Sequence, residues 1–520
     1  MDRALREIVE KLILINNPSR SDLDRVKIEV ARAHGLPAIP RNSEILKVLT
    51  EDELEFLTPI LRRKEARVMS GVSVVAVMTA PYPCPHGRCA YCPGGPDEKS
   101  PQSYTGYEPA AMRGAQNEYD PYKQVKARVK QLELIGHRVD KVDLIIMGGT
   151  FPASPHVYQI GFVKGCLDAL TGVPSKDLSE AKLNAETIGI RNVGMTVETR
   201  PDCVNIVDID WILDLGVTRV ELGVQNVYDE LYKKVDRGHT IQDVTDATAR
   251  LKDSALKICY HMMPGLPSST LEKDFEGFKA IFEDSSFKPD MLKIYPTLVV
   301  KGTRLYDWWK KGEYKPLCTE EAAELISRIK EITPPWVRIM RVQRDIPLPR
   351  IDAGVDKSNI RQIAEKKLES RGKRCKCIRC REVGHATENI EPDRIKITHT
   401  VYDASGGIED FIQAVDPEAD VLIGFLRLRI PGVPFRPEIR AGTGLVRELH
   451  VYGRMVPLGE RGVDAWQHRG WGELLMTEAE KTAVDKYGLN KMVVMSALGT
   501  KMYYDRLGYQ KDGVYVSKSL

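Results

Sequence analysis

The sequence predicts an α/β protein, in which a partial, TIM-like (βα)6 barrel is followed by a second, smaller α/β domain. Three observations lead to this prediction. Six short apolar runs recur between residues 72 and 296, helix-like segments separate them, and the apolar pattern changes after about residue 391. Strands that alternate with helices indicate a parallel sheet. Six repeats are fewer than a closed barrel contains, so we expect an open one.

Residues 1–70 are predicted to form an N-terminal helical segment. "LREIVEKLILI" has apolar residues at intervals of three to four, and "SDLDRVKIEVARAHG" combines a capping residue with a terminal glycine. "TEDELEFLTPILRRKEAR" begins with Thr50 and has Glu53 three positions later, as in a capping box.

Residues 71–330 contain the predicted barrel. Its six strands are "VSVVAVM" at 72–78, "VDLIIMG" at 142–148, "VGMTVE" at 193–198, "RVELGV" at 219–224, "LKICYHM" at 256–262 and "DMLKIYP" at 290–296. Between the first two, "YKQVKARVKQLELIG" places Val125, Val129, Leu132 and Ile135 on one helical face. Functional residues are expected after the strands, where such barrels carry their chemistry.

Residues 331–390 are predicted to be a basic linker, and residues 391–520 a strand-rich α/β domain. From Trp336 to Arg381 there are 14 Lys and Arg against 5 Asp and Glu. This excess is typical of contact with a polyanion, and a solvated linker without a specific partner is the alternative. In the last domain, "RIKITHTVYD", "DVLIGFLRLRI", "VRELHVYG" and "KMVVMSA" predict strands, and "ELLMTEAEKTAVDKYG" predicts a helix.

Composition excludes several classes of protein. The 520 residues are 42% hydrophobic and 29% charged with a net charge of +3, and there is no apolar run long enough for a membrane span. The charged N-terminus lacks the features of a signal peptide, so we expect a cytoplasmic protein. Ten cysteines in such a chain indicate metal binding rather than disulfides.

Cys84, Cys89 and Cys92 follow the first predicted strand, with four and then two residues between them. Three thiolates can hold a 4Fe–4S cluster and leave its fourth iron open for a substrate such as S-adenosylmethionine. A zinc site with a distant ligand, or a chance grouping, is the alternative. The position after the first barrel strand favours the cluster.

A second cysteine group, "CKCIRC", contains Cys375, Cys377 and Cys380 in basic surroundings that favour thiolates. Zn²⁺ is the simplest ion for a small structural site of this kind. His385 is a candidate fourth ligand, and a surface histidine is the alternative. We expect the site to fix the two large domains in register and to present basic residues to RNA.

The motifs together resemble the catalytic subunit of Elongator, a radical S-adenosylmethionine enzyme fused to a GNAT acetyltransferase, in its archaeal or bacterial stand-alone form. The resemblance spans residues 60–520 and rests on "CAYCPGGPDEKSPQSYTGYEP", "DKVDLIIMGGTFPA", "TVETRPD", "ELGVQN", "REVGH", "RELHVYG", "QHRGWG" and "YYDRLGY". The first cysteine gap is one residue longer than is usual for radical S-adenosylmethionine enzymes, and this family accepts the longer gap.

The resemblance assigns roles at the barrel strand ends. Residues expected to bind S-adenosylmethionine are Gly148, Gly149, Thr150, Glu198, Arg200 and Gln225. A structural salt bridge is the alternative for Glu198 and Arg200. Lys293 is expected to be catalytic. Lys141, which alone predicts only a surface lysine, is expected to reach acetyl-CoA.

In the last domain, the acetyl thioester is expected to lie along Glu448, Leu449, His450 and Val451. Backbone N–H groups at the start of a helix bind pyrophosphate, so the CoA-binding motif is expected at Gln467, Arg469, Gly470, Trp471, Gly472 and Glu473. Of Tyr503 and Tyr504, both assigned to the CoA site, Tyr504 is favoured as the proton donor to the CoA thiolate, and the other tyrosine is expected to pack in the core.

The family resemblance implies a tRNA-modifying enzyme. A 5′-deoxyadenosyl radical removes hydrogen from the methyl group of acetyl-CoA, the carbon radical adds to C5 of the wobble uridine, and thioester hydrolysis leaves 5-carboxymethyluridine. The anticodon stem-loop is the expected partner, bound by 336–381 and by "LRRKEAR" at 61–67, and "CPGGPDEKSPQSYTGYEP" is expected to form a lid. The sequence permits a homodimer and requires no partner subunit.

Two rival functions belong to other classes. One is a protein lysine acetyltransferase whose radical half has become a structural, RNA-binding domain. The other is a tRNA-binding scaffold without enzymatic activity. The intact cysteines and the complete set of motifs argue against both.

Overall fold

The structure is a computed structural model that describes residues 2–61, 71–385, 390–453 and 470–520. Its N-terminal helices are α1 (Asp2–Ile13), α2 (Arg20–Ala33), α3 (Asn42–Ile45) and α4 (Glu51–Leu61). Their apolar faces share a core of their own, in which Ile8, Leu12 and Leu23 are buried. Ser19 begins α2 with a capping box. Apart from Leu61, the "LRRKEAR" stretch lies outside the described residues.

The first sheet consists of seven parallel strands in sequential order, which is the topology of an open barrel. They are β1 (Ser73–Met78), β2 (Lys141–Met147), β3 (Arg191–Thr199), β4 (Arg219–Gln225), β5 (Lys257–Met262), β6 (Met291–Ile294) and β7 (Arg338–Val342). The six predicted strands are all present, and the sheet has one strand more than predicted. The extra strand, β7, lies in the stretch assigned to the linker, and Arg338 and Arg341 leave this short edge strand without a continuous apolar run.

Helices follow the barrel strands and cover their apolar faces. They are α5 (Pro109–Gln116), α6 (Pro121–Glu133), α7 (His156–Thr171), α8 (Leu178–Thr187), α9 (Ile206–Asp214), α10 (Asp229–Lys234), α11 (Ile241–Asp253), α12 (Leu271–Glu283), α13 (Arg304–Lys310), α14 (Thr319–Ile332), α15 (Ile360–Ser370) and α16 (Ile378–Arg381). As predicted, α6 buries Val125, Val129 and Leu132. Among the described helices, none is both long and apolar enough to cross a membrane.

The second sheet is mixed, and its strands run in the order β13-β14-β12-β11-β10-β9-β8. They are β8 (Lys396–Ala404), β9 (Gly407–Asp416), β10 (Val421–Ile430), β11 (Thr443–Val451), β12 (Lys491–Val494), β13 (Gln510–Asp512) and β14 (Tyr515–Ser519), with α17 (Trp471–Asp485) and α18 (Lys501–Asp505) between them. Leu475, Met476 and Ala479 of α17 pack on one face of this sheet.

A β-bulge in β11 changes the direction in which its side chains point. Arg427 of β10 pairs with Glu448, and the next residue, Leu428, pairs with Val446, so Arg447 is an extra residue in the strand. A bulge of this kind turns side chains that regular alternation would place on the other face. Arg447 and Glu448 consequently both reach barrel-facing partners.

A buried network of charges joins this second sheet to the barrel. The Arg447 guanidinium donates to both carboxylate oxygens of Asp290, at 2.8 and 2.5 Å, and to Glu409 at 3.0 Å. Arg429 donates to Glu409 at 3.1 Å and to Asp253 at 2.8 Å. The side chains of Arg447, Asp290 and Arg429 are wholly inaccessible to solvent.

The network balances its own charge. Its positive members are Lys252, Arg427, Arg429 and Arg447, and its negative members are Asp253, Asp290, Glu409 and Glu448. Burial alone would raise the pKa of Asp290, but Arg447, Lys252 and Arg427 hold it below its ordinary value. Buried ions require this complete pairing because the loss of one partner leaves an uncompensated charge.

Replacing Arg447 with methionine is expected to lower the free energy of unfolding by about 3–5 kcal/mol, because Asp290 and Glu409 would keep buried negative charge without their main partner. Chemical denaturation of the purified variant measures this change. Arg328→Met is the matched control, since the Arg328–Glu272 pair is exposed and is expected to contribute about 1 kcal/mol or less. Equal losses in the two variants would contradict the assigned role of the network.

Candidate functional site

One cavity of about 910 Å³ extends through the barrel interior. Its wall includes Cys84 and Thr150 at the carboxyl ends of the strands, and residues of β11 at the opposite end. Glu221, Lys293 and other strand side chains line the middle. A volume of this size falls in the upper range of small-molecule sites, and its wall combines residues from both large domains.

The first cysteine group lies in the loop after β1 and is held by hydrogen bonds. The Cys84 N–H donates to Gln102 Oε1 at 2.9 Å, and Gln102 Nε2 donates to the Gly87 carbonyl at 2.6 Å. Cys84 Sγ lies 3.4 Å from Thr150 Oγ1, which joins the loop to the end of β2. Cys84 is half-buried, whereas Cys89 and Cys92 are buried.

The surroundings of these cysteines fit a group that brings negative charge. The Arg237 guanidinium is buried and lies 3.7 Å from Cys89 Sγ, and among the described residues no carboxylate pairs with it. Burial raises the pKa of the Cys92 thiol to about 11 and that of Cys84 above its ordinary value. Metal charge would be needed to keep them as thiolates. Such a set of thiols beside an arginine suits an iron–sulfur cluster.

Two glycines after β2 pack closely against their surroundings, and only Gly149 borders the cavity and Cys84. Gly148 has φ +142°, and a Cβ there would lie 1.8 Å from Thr79 Oγ1. At Gly149, with φ +84°, a Cβ would lie 3.0 Å from the Gln102 carbonyl and 4.0 Å from Cys84 Sγ. Both positions therefore exclude any side chain, and the predicted glycine motif borders the cysteine loop.

The loop predicted to form a lid packs against the barrel. Tyr104 of this loop donates to Glu198 at the end of β3, at 2.5 Å. Arg344, which follows β7, donates to the Ser103 carbonyl, and Ser103 Oγ lies 3.6 Å from Cys92 Sγ. The loop therefore covers the cysteines, and Glu198 holds it in place.

Arg200 and Gln225 lie at neighbouring strand ends. Arg200 is 1% exposed, forms a two-pronged pair with Asp202 at 2.9 and 2.7 Å, and donates to the Arg237 carbonyl. Gln225 has φ +70° and lines the cavity. The arginine therefore supports the cysteine region through Arg237, while the glutamine faces the open space.

The middle of the cavity contains a charge cluster of which the sequence singled out Lys293 but neither of its partners. Lys293 of β6 pairs with the fully buried Glu221 of β4, which also contacts His261 Nε2 at 2.7 Å. Burial would lower the pKa of Lys293, but Glu221 raises it, so the amine stays protonated. The sequence did contain a sign of this cluster. Glu221 interrupts the apolar run "RVELGV", and His261 interrupts the apolar run "LKICYHM".

At the other end, Glu448, Leu449, His450 and Val451 all line the cavity, as expected for a site along β11. Glu448 accepts from Arg427 at 2.9 Å. The His450 ring packs against Tyr452 at 4.3 Å between centroids. This strand therefore borders the same space that reaches the cysteines.

Lys141 begins β2 and pairs in register with Arg191, at the amino-terminal edge of the barrel sheet. Burial lowers its pKa, and the charge of Arg191 lowers it further. A Cβ on Gly499 would lie 2.8 Å from the Asn192 backbone, so the second domain contacts this same edge.

The start of α17 contains the part of the predicted CoA motif that the structure describes. Gly470 has φ +83° and precedes Trp471 and Gly472, and Glu473 lies in the first turn. A Cβ on Gly472 would lie 2.6 Å from the hydroxyl of Tyr503. Gln467 and Arg469 lie outside the described residues.

The two tyrosines differ in their surroundings. Tyr503 has a buried hydroxyl without a hydrogen-bond partner among the described residues. Burial is the main cause that raises its pKa to about 12, and the negative charge of Glu473 adds to this effect. Tyr504 packs with the core of the second sheet, and its ring meets those of Tyr503 and Tyr509 edge-on. Burial raises its pKa as well.

The second cysteine group brings the sulfurs of Cys375, Cys377 and Cys380 within 4.8 Å of one another. Hydrogen bonds from Cys375 and then Cys380 lower the pKa of Cys377 well below its ordinary value. The predicted fourth ligand, His385, does not join this group; its Nε2 lies 3.0 Å from Glu382 Oε1. This carboxylate draws the ring toward the cavity wall, of which both residues are part.

Comparisons with known proteins give the family. Models described as ELP3 N-terminal domain, Radical SAM superfamily and Radical SAM C-terminal domain match residues 1–67, 81–277 and 289–370. A protein of Methanocaldococcus jannaschii named tRNA uridine(34) acetyltransferase is 49% identical over 100% of this chain and 98% of its own length. This chain belongs to the Elongator complex protein 3 family.

Two further relatives support the same assignment. The human member of the Elongator complex protein 3 family is 42% identical over 99% of this chain and 96% of its own length. The solved structure of Methanocaldococcus infernus Elp3 with an N-terminal deletion is 46% identical and superposes with a TM-score of 0.78. The superposed region covers 87% of this chain and 100% of the chain in the solved structure. The family resemblance and the radical S-adenosylmethionine half-barrel are therefore confirmed.

Gly148→Ala is expected to destabilise the protein by at least about 1–3 kcal/mol, because alanine would need a positive φ and would collide with Thr79. Gly161→Ala is the matched control. Gly161 lies inside α7 with no atom within 4 Å of an added Cβ, so alanine should stabilise the helix by about 0.5–1 kcal/mol. Thermal unfolding of both variants measures the difference, and the same sign of change in both would contradict the account.

Proposed function

We propose that the protein is a tRNA-modifying enzyme that adds a carboxymethyl group to C5 of the wobble uridine, using S-adenosylmethionine and acetyl-CoA. The observation that carries this proposal is the single cavity whose wall contains both Cys84 and β11. A reaction that begins at a cluster and ends at a thioester needs one continuous space between them. The names of the relatives, tRNA uridine(34) acetyltransferase, supply the substrate class.

At the carboxyl ends of the strands, Cys84, Cys89 and Cys92 would hold a 4Fe–4S cluster. When bound there, the cluster and S-adenosylmethionine would supply a 5′-deoxyadenosyl radical. Gly149 and Thr150 line the space available to the methionine part, and Gln225 faces the same space. Tyr104 and Ser103 cover one side of this site through their contacts with Glu198 and Cys92.

At the opposite end, acetyl-CoA would lie with its thioester along β11 and its pyrophosphate at the start of α17. A thioester carbonyl can accept hydrogen bonds from a strand backbone, and the first N–H groups of a helix bind phosphate. The contacts favour Tyr503 over Tyr504 as the proton donor to the CoA thiolate, since the Tyr503 hydroxyl lies beside Gly472 and has no hydrogen-bond partner among the residues that the structure describes.

Between the two ends, Lys293 would act as a fixed positive charge. Its ammonium is held by Glu221 and faces the cavity. The wobble base must enter this space. Enzymes that modify a base generally take it into a pocket after it has been unstacked from its neighbours. A buried cation can donate to a uracil carbonyl and orient C5 toward the acetyl carbon.

Some basic residues of the linker form ion pairs within the protein, and others are exposed to solvent. Arg338 pairs with Glu382, and Arg381 pairs with Asp420, so neither is free for RNA. Lys366 and Lys376 are exposed, and Lys373 is exposed beside Glu331 at 3.6 Å. We infer that such exposed lysines contact the tRNA backbone, where affinity depends on salt, while Cys375, Cys377 and Cys380 hold Zn²⁺ and order this segment.

Anaerobic protein reconstituted with iron and sulfide, and supplied with tRNA, acetyl-CoA, S-adenosylmethionine and a reductant, should form 5′-deoxyadenosine and modified uridine. The variant C84A/C89A/C92A should form neither, because it lacks the cluster ligands. The control is C166A, a buried cysteine of α7. Absence of both products from the reconstituted unchanged protein would refute the proposal, and rapid acetylation of a lysine peptide would favour a lysine acetyltransferase.

Tyr503→Phe should lower formation of free CoA by about 10²-fold, since the hydroxyl beside Gly472 that is proposed to donate the proton is removed. Tyr504→Phe is the matched control and should have a much smaller effect, because that ring packs in the core. Thiol release from acetyl-CoA in the presence of tRNA measures both. The opposite order of effects would assign the donor role to Tyr504.

A further inference from the structure

Among the described residues, three histidines line the cavity, and they differ in their partners. His261 is tied to Glu221 at 2.7 Å, and His385 is tied to Glu382 at 3.0 Å. His450 lies on β11 and its ring nitrogens form no hydrogen bond with any residue in the described part of the chain. Of the three, His450 therefore keeps both nitrogens available to a molecule in the cavity.

The His450 ring is fixed in place although its nitrogens are free. It packs against Tyr452 at 4.3 Å, and it lies parallel to the ring of Phe425 at 6.1 Å. Tyr452 is itself anchored by Arg338, which donates to its hydroxyl at 2.8 Å. A histidine held by its ring faces can present a nitrogen in one direction without a carboxylate to orient it.

The β11 bulge at Arg447 explains why this ring points into the cavity. Because of the extra residue, Glu448 and the residues two and four positions later, His450 and Tyr452, share the barrel-facing side of the strand. Leu449, between them, packs with the core on the opposite face. His450 therefore projects from the strand proposed to hold the thioester.

The charges around His450 keep its ring neutral. Burial is the main cause that lowers its pKa, to about 4, and Arg338 of β7 and Lys257 of β5 lower it further. Glu448 on its own strand and Glu382 after α16 oppose this shift. Arg427 of β10 donates to Glu448 and so reduces the effect of that carboxylate on the pKa of His450. A neutral imidazole is the form that can accept a proton.

We propose that His450 is the general base that activates water to hydrolyse the thioester bound along β11. This inference rests on the proposed function, which leaves a thioester between uridine and CoA after the new carbon–carbon bond has formed. Water adds to the carbonyl carbon as His450 takes its proton, and the carbon–sulfur bond breaks. The CoA sulfur takes up the electron pair of that bond and a proton, so the products are carboxymethyluridine and free CoA, with no oxidant or reductant needed.

The cavity offers the room that this step requires. Its volume of about 910 Å³ holds several water molecules beside a bound thioester. The positive charges of Lys257 and Arg338 also line this end, where negative charge develops on the carbonyl oxygen during the addition of water.

The test compares His450→Gln with the matched control His399→Gln in the reconstituted holoenzyme. His399 belongs to β8 of the same domain and pairs with Asp410, away from the cavity wall. For His450→Gln we expect thiol release to fall by about 10²-fold or more, 5′-deoxyadenosine formation to persist, and tRNA to accumulate uridine still joined to CoA. His399→Gln should behave as the unchanged protein.

His450→Ala adds a second readout that a structural role would not give. Exogenous imidazole should restore thiol release in this variant, because the small ring can enter the space left by the side chain. Unchanged thiol release in His450→Gln, loss of 5′-deoxyadenosine together with thiol release, or failure of imidazole to rescue would each overturn the inference. If the unchanged protein forms no 5′-deoxyadenosine, the proposed function itself fails, and the inference falls with it.

Discussion

The buried contact between Arg447 and Asp290 is the constraint on which the rest of the structure depends. Asp290 immediately precedes β6 of the barrel, and Arg447 is the bulged residue of β11. Their two hydrogen bonds, at 2.8 and 2.5 Å, fix the second sheet beneath the barrel at one distance and in one rotation. A purely apolar contact would tolerate sliding, whereas paired charges with fixed geometry do not.

This constraint gives the cavity its two ends. The bulge makes Arg447 an extra residue whose side chain points toward the barrel. As a result, Glu448 and His450 face the cavity rather than the opposite side of the sheet. The barrel contributes Cys84, Gly149 and Thr150 at the far end of the same space. Buried ion pairs stabilise a protein little compared with apolar packing. We infer that this network specifies the alignment of the two domains more than it adds to their stability.

The sequence predicted the six central barrel strands and the α6 face because apolar periodicity reports directly on burial. It predicted that Cys84, Cys89 and Cys92 lie together in the loop after β1, because a stretch of nine residues is too short for the fold to separate its three cysteines. It did not predict β7, in which only Ile339 and Val342 are buried among arginines. A strand at the edge of a sheet carries less apolar signal than a central one.

The long-range pairings could not be inferred from one sequence. Arg447 and Asp290 are 157 positions apart, and no local pattern links them. The same holds for Glu221 and Lys293, 72 positions apart. His385 was grouped with the cysteines by its proximity in sequence, but the structure pairs it with Glu382. Spacing along the chain identifies ligands only where a local loop brings them together.

The most direct test of the account uses acetyl-CoA with a deuterated methyl group in the reconstituted enzyme. If one cavity joins the cluster to the thioester, the radical formed at one end should remove deuterium from the acetyl group at the other. Mass spectrometry of the 5′-deoxyadenosine should then detect one transferred deuterium in each turnover that modifies tRNA. Modified tRNA together with unlabelled 5′-deoxyadenosine would contradict the account.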